Sequence, residues 1–427
     1  MVGKDTESSR PSTHRDFNLL WFGQSLSLVG NQFLVIGLPL LAVLVVGASP
    51  AQAVLLPFLM FTPFLLFGLP VGALVDRLPK RKTMVFADLI QMVVYTLVAI
   101  LSIKGLMVFP LLMGLVFIAG IATVFFQVAY NSFLPEIYSC KSDLQKGNAK
   151  LFFSESIART LGPMVAGPII AIFAPPMAIL LNGISFFISA LTLGVIRSNK
   201  KNISPSTVHV RPSLMTEIKI GLKFVMSHPK IEPVFSCGAI YVFFLTIIET
   251  SLVLYCKDVL LLSPVGIGFV IGAAAAGFPL ANLLSPKLMA HFGVSHTLVI
   301  GAVTSVVGIF FIAIFGAAGS VVGLVAASVL HGFGEGVFGP TSLTLRQTET
   351  PLDLLGRVNS VQRFMIWGAI PLGSVFTSLI IKYVGLEWTL WVGGLGCILC
   401  LLPLIRRGIL ADLRIPYTKL RSDTANG

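Results

Sequence analysis

Polar residues along this chain are gathered into short clusters, and the stretches between them are long and almost wholly apolar. Val108 to Leu134 contains no Asp, Glu, Lys or Arg, and neither does Thr297 to Ala318. About 20 apolar residues in a helix cross the hydrocarbon core of a bilayer. Barrel strands are shorter and alternate apolar with polar positions, so unbroken runs of this length predict helices. Twelve spans follow from the pattern: 18–45, 51–75, 84–103, 107–134, 148–172, 176–196, 231–255, 264–286, 295–316, 319–344, 357–381 and 386–405. They predict an all-α membrane protein with two six-helix bundles, 18–196 and 231–405. A polar linker, 197–230, separates them, and tails 1–17 and 406–427 flank them. Within the linker, Leu214, Ile218, Leu222 and Val225 share one helical face. This predicts an amphipathic helix lying on the membrane surface.

The two bundles align at an offset of 211 residues. Leu134, Leu144, Asn148 and Gly162 match Leu345, Leu355, Asn359 and Gly373. Internal repeats of this kind are a mark of secondary transporters in which one half rocks against the other.

Composition and charge sharpen the picture. Of 427 residues, 55% are hydrophobic and 11% charged, against about 25% charged in a soluble domain. The surplus apolar surface must face lipid. The net charge of +12 sits in the short inter-span segments, so it predicts orientation rather than a nucleic-acid partner. With both termini cytoplasmic, Arg77, Lys80, Arg81, Lys82, Lys141, Lys146, Lys287 and Arg346 fall inside, and Lys104, Lys257 and Lys382 outside. No nucleotide-binding Gly-Lys loop, HExxH or magnesium-type acidic cluster is present. The chain is therefore expected to be neither an ATP motor nor an enzyme, and to need no cofactor or metal. The cysteines lack zinc-site spacing and read as packing residues.

Ionisable residues inside spans are functional candidates, because charge there costs several kcal/mol (about 2.5–3.5 on insertion scales). His331 and Glu335 lie one turn apart among Gly332, Gly334 and Gly336 and could share a proton. With Glu249 they are the proton-coupling candidates. Glu155 and Arg159 are also four apart and can pair with each other, or Arg159 can meet an anionic substrate. Asn31, Gln32, Gln127, Tyr130 and Asn131 either line a substrate cavity or bind helices together.

The loop after the second span runs Gly72-Ala-Leu-Val-Asp76-Arg77-Leu-Pro-Lys80-Arg81-Lys82. With the LP…GN…GP order from Phe126 to Gly167 and the stretch Arg346 to Gly373, it resembles the major facilitator superfamily. The resemblance covers nearly the whole chain. It is nearest to the branch of macrolide-efflux proteins and the enterobactin exporter, which are drug:proton antiporters. It implies a conformational switch at Gly72, Asp76, Arg77, Lys80 and Arg81, with Asp76 meeting the backbone near Gly356 and Arg357. It also implies a hinge at Gly162-Pro163 and Gly167-Pro168 on the fifth span, and cavity-lining roles on spans one and four. Two positions depart from that branch. Gly30-Asn31-Gln32 lacks an acidic residue after the glycine, and Asn182 stands where Asp is common. The expectation is a monomeric exporter in a bacterial inner membrane. It would exchange a small amphipathic molecule, such as an antibiotic, siderophore or peptide metabolite, for protons. An importer or lysophospholipid transporter on the same fold is the alternative, and a membrane scaffold or enzyme a more distant one.

Overall fold

The computed structural model describes residues 11–137, 141–196, 214–351 and 354–405. Among them all regular structure is helical: α1 (Pro11–Leu44), α2 (Pro50–Ala53), α3 (Leu56–Arg77), α4 (Lys80–Ile103), α5 (Phe109–Ile137), α6 (Lys141–Phe173), α7 (Pro175–Val195), α8 (Leu214–Ser227), α9 (Ile231–Asp258), α10 (Pro264–Phe292), α11 (Val294–Ala317), α12 (Val321–Glu349), α13 (Leu355–Tyr383) and α14 (Trp388–Ile398). Two 3₁₀ turns, Leu399–Leu401 and Pro403–Ile405, complete the last span. Twelve stretches among the described residues are long and apolar enough to cross a membrane, matching the twelve expected spans.

The helices outrun the apolar runs. α4 begins at Lys80 rather than 84, α6 at Lys141 rather than 148, and α12 continues to Glu349 rather than 344. Hydrophobicity marks where lipid ends, whereas the hydrogen-bonded ladder continues beyond that point. Two spans are interrupted. The second begins with α2, capped by Ser49 in a capping box with Gln52 and with Pro50 in the first turn, and breaks at residues 54–55 before α3. In the last span Pro403 supplies no amide to the turn before it, and the ladder tightens to 3₁₀.

The chain divides into two compact units. Unit 1 comprises Met1–Gly47 and Thr62–Ser204, and unit 2 comprises Ala48–Phe61 and Pro205–Gly427. In unit 1, α1 packs on α6 and α7, and α4 on α5 and α7. In unit 2, α9 packs on α13 and α14, and α11 on α12 and α14. This is the same pattern repeated, and one contact shows the offset directly. A Cβ on Gly162 would meet Gln32 at 2.4 Å, and one on Gly373 would meet the Phe243 carbonyl at 2.6 Å. Both members of the second pair lie 211 positions beyond those of the first. Unit 2 also holds α2 against α13: Ser378 Oγ donates to the Ala51 carbonyl at 2.7 Å, and Ser374 Oγ to that of Val54.

α8 is present where the linker helix was expected. Val225 is buried, whereas Leu222 is exposed. Leu214 and Ile218 have side chains outside the described residues. Gly221 marks the contact with α13. A Cβ there would lie 3.0–3.2 Å from Arg357, so α13 approaches the α8 backbone at a position that hydrophobicity does not mark.

Candidate functional site

In unit 1 the basic residues of the switch motif hold helix ends. Lys80 Nζ donates to the Val75 carbonyl at 2.7 Å, closing the end of α3. Arg81 donates to the carbonyls of Ile196 and Gly194, at the end of α7. Both place a cation on carbonyls of a helix's last turn, where the helix dipole favours positive charge. Asp76 and Arg77 occupy the last turn of α3, and their side chains lie outside the described residues. A Cβ on Gly72 would meet no described atom within 4 Å.

α7 is the seam of unit 1. It is lined by Asn182, Ser185, Ser189 and Thr192, all small or polar. α1 lies on one side of it: a Cβ on Gly30 would meet the Asn182 side-chain oxygen at 2.5 Å and Ser185 Oγ at 2.3 Å. The two departures from the efflux branch are therefore neighbours in space. Asn182 is fully buried, and its Nδ2 has no partner among the described residues. α6 meets α1 where Gly162 faces Gln32. Pro163, Gly167 and Pro168 lie on the same helix, which continues through both prolines.

The remaining polar candidates of unit 1 are scattered. Arg159 pairs with Glu155 at 3.1 Å, both side chains more than a third exposed. This supplies the i,i+4 pairing that the spacing suggested. Tyr130 stacks on Phe126, with ring centroids 6.0 Å apart. Asn131 is exposed, and Asn31, Gln32 and Gln127 are half-buried.

Unit 2 concentrates its chemistry on α12. Gly332, Gly334 and Gly336 alternate between two neighbours. Cβ atoms on them would meet the Ala274 carbonyl of α10 at 1.6 Å, the Ser305 amide of α11 at 2.2 Å and the Ala281 methyl of α10 at 2.6 Å. On α11, Gly308 would touch the His331 amide at 2.4 Å. These backbone contacts hold His331 in a fixed place. Its Nδ1 lies 2.9 Å from Ser305 Oγ and 3.3 Å from Tyr241 Oη, and those two hydroxyls are 2.8 Å apart. With Nδ1 as acceptor, the Nε2–H is directed at Glu335, whose Oε2 is 3.6 Å away. This is an ion-pair distance, too long for a direct hydrogen bond. The exposures are unequal: the His331 side chain is 6% exposed and that of Glu335 31%. Glu335 lines a pocket with Cys237, Tyr241, Ala302, Ser305, Phe338 and Cys400. The imidazole is thus the buried, oriented partner and the carboxylate the accessible one. Glu249 is exposed on α9, eight residues beyond Tyr241, about 12 Å along the helix.

The spacing had paired His331 with Glu335. Tyr241 and Ser305 lie 90 and 26 residues from His331, and no local pattern joins them to it. Asp88 was missed altogether. It is the sole Asp, Glu, Lys or Arg between Thr83 and Ile103 and lies within the span 84–103, so the presence of a charge inside an apolar run is the signal that could have found it. The described cysteines, Cys237, Cys256, Cys397 and Cys400, are all free and buried, consistent with packing. Cys140 lies outside the described residues.

Twelve apolar stretches long enough to cross a membrane and a repeated six-helix plan define a multi-pass helical membrane protein of the major facilitator fold. A family model described as transmembrane secretion effector matches residues 6–417, and the chain belongs to that family. It is 23% identical over 403 residues to macrolide efflux protein A of Streptococcus pyogenes, an alignment covering 93% of this chain and 98% of the relative. Among solved structures it is similar to a bacterial homologue of the iron transporter ferroportin, with a TM-score of 0.70 at 17% identity, covering 92% of this chain and 98% of the other. It is similar also to the nucleoside transporter NupG, with a TM-score of 0.73 at 12% identity and coverage of 91% and 99%.

Proposed function

We propose that this protein is a proton-driven exporter of a small amphipathic molecule in a bacterial inner membrane, with Glu335 taking up the proton and His331 orienting it. The observation that carries the reading is the α12 cluster. An accessible carboxylate faces an imidazole that two buried hydroxyls hold in position, on a helix fixed by backbone contacts. Protonating Glu335 removes a negative charge beside His331, and releasing the proton restores it. A site that gains and loses charge in this way couples to the membrane potential, worth about 2.3 kcal/mol per charge per 100 mV. Asp76 at the end of α3 serves as the conformational switch, as the motif implies. For the cargo, the likeness to proteins named for macrolide efflux makes a macrolide the first compound to try.

The experiment is efflux of radiolabelled erythromycin from energised cells, with and without an uncoupler. Wild-type efflux should fall to the passive rate when the gradient collapses. Glu335→Gln should leave efflux near the passive rate whether or not the gradient is present, and Asp76→Asn should slow it without loss of protein from the membrane. Efflux that survives the uncoupler, or that Glu335→Gln leaves at the wild-type rate, rules this coupling out.

A further inference from the structure

Asp88 lies in the middle of the α4–α7 contact of unit 1. That contact runs antiparallel through a series of named pairs: Arg81 with Gly194 and Ile196, Tyr95 stacked on Phe186 with centroids 5.8 Å apart, and Gly183 against Thr96 and Met92. Between the first pair and the second, Asp88 faces Ser189. Asp88 is 0% exposed and Ser189 1%. Neither carboxyl oxygen of Asp88 has a hydrogen-bond partner of normal geometry among the described residues.

The charged surroundings can be gone through element by element. α7 carries no Asp, Glu, Lys, Arg or His. The ionisable residues of α5 are Tyr130 and, in its last turn, Glu136. α4 itself carries Lys80, Arg81 and Lys82 in its first turn and Tyr95 two turns beyond Asp88. Of the cations, Arg81 shares the α7-facing side, but it lies seven residues away, about 10 Å along the axis, and its guanidinium is on the carbonyls that end α7. Asp76 and Arg77 end α3, before the turn into α4. No cation among the described residues is in contact with the carboxyl. Ser189 is the one hydroxyl facing the carboxyl among the described residues, and an ionised carboxylate buried without a cation is less stable than the neutral acid.

Two more buried polar atoms have no partner among the described residues: Asn182 Nδ2 on α7, whose side chain meets Gly30 of α1, and Gln24 Oε1 on α1. Orphaned polar atoms on three helices meeting at α7 are groups that water would satisfy. We propose that Asp88 is a proton-binding site of unit 1, holding its proton within the closed α4–α7 contact. It would be a second proton site, on a different unit from Glu335. Its link to efflux rests on the proton-driven reading above, but its protonation does not.

The test is infrared spectroscopy of the full-length protein in liposomes, using the carbonyl stretch of a protonated carboxylic acid. At neutral pH the wild type should show such a band, and ¹³C-aspartate labelling should shift it. Asp76→Asn and Glu335→Gln should retain the band and Asp88→Asn should lose it. The amplitude should fall as the buffer is moved from mildly acidic to alkaline. Three results would each overturn the proposal: no aspartate-sensitive acid band at neutral pH, a band that Asp88→Asn leaves in place, or a band that never titrates. Should Asp88→Asn fail to fold, Asp88→Glu decides it: the acid band should then no longer shift with ¹³C-aspartate labelling, and a band that still shifts would overturn the proposal. An uncoupler-insensitive efflux would defeat the coupling reading and leave this spectrum unchanged.

Discussion

Arg81 shows how a charge that sequence assigns to topology also has a local structural role. Its guanidinium closes the end of α7, and Lys80 does the same for α3. A cation at a helix C-terminus contributes about 0.3–1 kcal/mol when exposed, and up to about 2 when partly buried. Arg81→Ala should therefore lower the stability of purified protein by about 1 kcal/mol, and Arg81→Lys should recover part of the loss. A melting temperature unchanged by Arg81→Ala would show that the contact is idle. Residue identity made some of the candidate site legible. His331 and Glu335 were found because i,i+4 neighbours must meet on a helix. Tyr241 and Ser305 were not, since tertiary packing alone brings them to the imidazole. Asp88 is different: it lies inside the span 84–103, yet no spaced partner on its own helix marks it, because Ser189 reaches it only through packing.

Among the elements, α12 is the most constrained in what it accepts. Its glycines read in the sequence as flanking residues of two ionisable groups. In the structure they are the contact surface, with α10 and α11 touching the backbone on either side. Gly332→Ala would drive a methyl onto the Ala274 carbonyl, an overpacking that costs about 1–3 kcal/mol or more because both partners are main chain. Gly339→Ala, on the same helix with no described atom within 4 Å of the added Cβ, should be tolerated. Comparing the yield and thermal stability of the two variants tests this, and equal tolerance would mean that α12 is free to shift. The same physics acts at α8: hydrophobic periodicity locates the helix, and Gly221 marks where α13 approaches it, a contact on which a pattern of apolar residues is silent.

For the whole molecule, the number of spans, their order and the internal repeat were legible, because lipid imposes a length and a polarity that few sequences meet by accident. The assignment of Ala48–Phe61 to unit 2 was not. Nothing in an apolar run says which six helices it will join, and the boundary falls inside α3, between Phe61 and Thr62. Unit 2 expressed as residues 205–427 alone should therefore be incomplete along α13. Supplying residues 48–61 as a fused segment should raise its melting temperature and its resistance to proteolysis in detergent. No gain on adding the segment would show that the Ser374 and Ser378 bonds contribute little.

Those bonds also set a schedule for biosynthesis. Val54 emerges from the ribosome 320 residues before the Ser374 that bonds it. At about 5–20 residues per second, that is a wait of roughly 15–60 s with the segment already made. The early part of the chain cannot reach its final arrangement while it is the only part present. Insertion of α2 and the start of α3 must stay provisional until nearly nine-tenths of translation is over. A pause, a truncation or a slow codon late in the message would thus be felt at residue 54, far upstream of where it occurs.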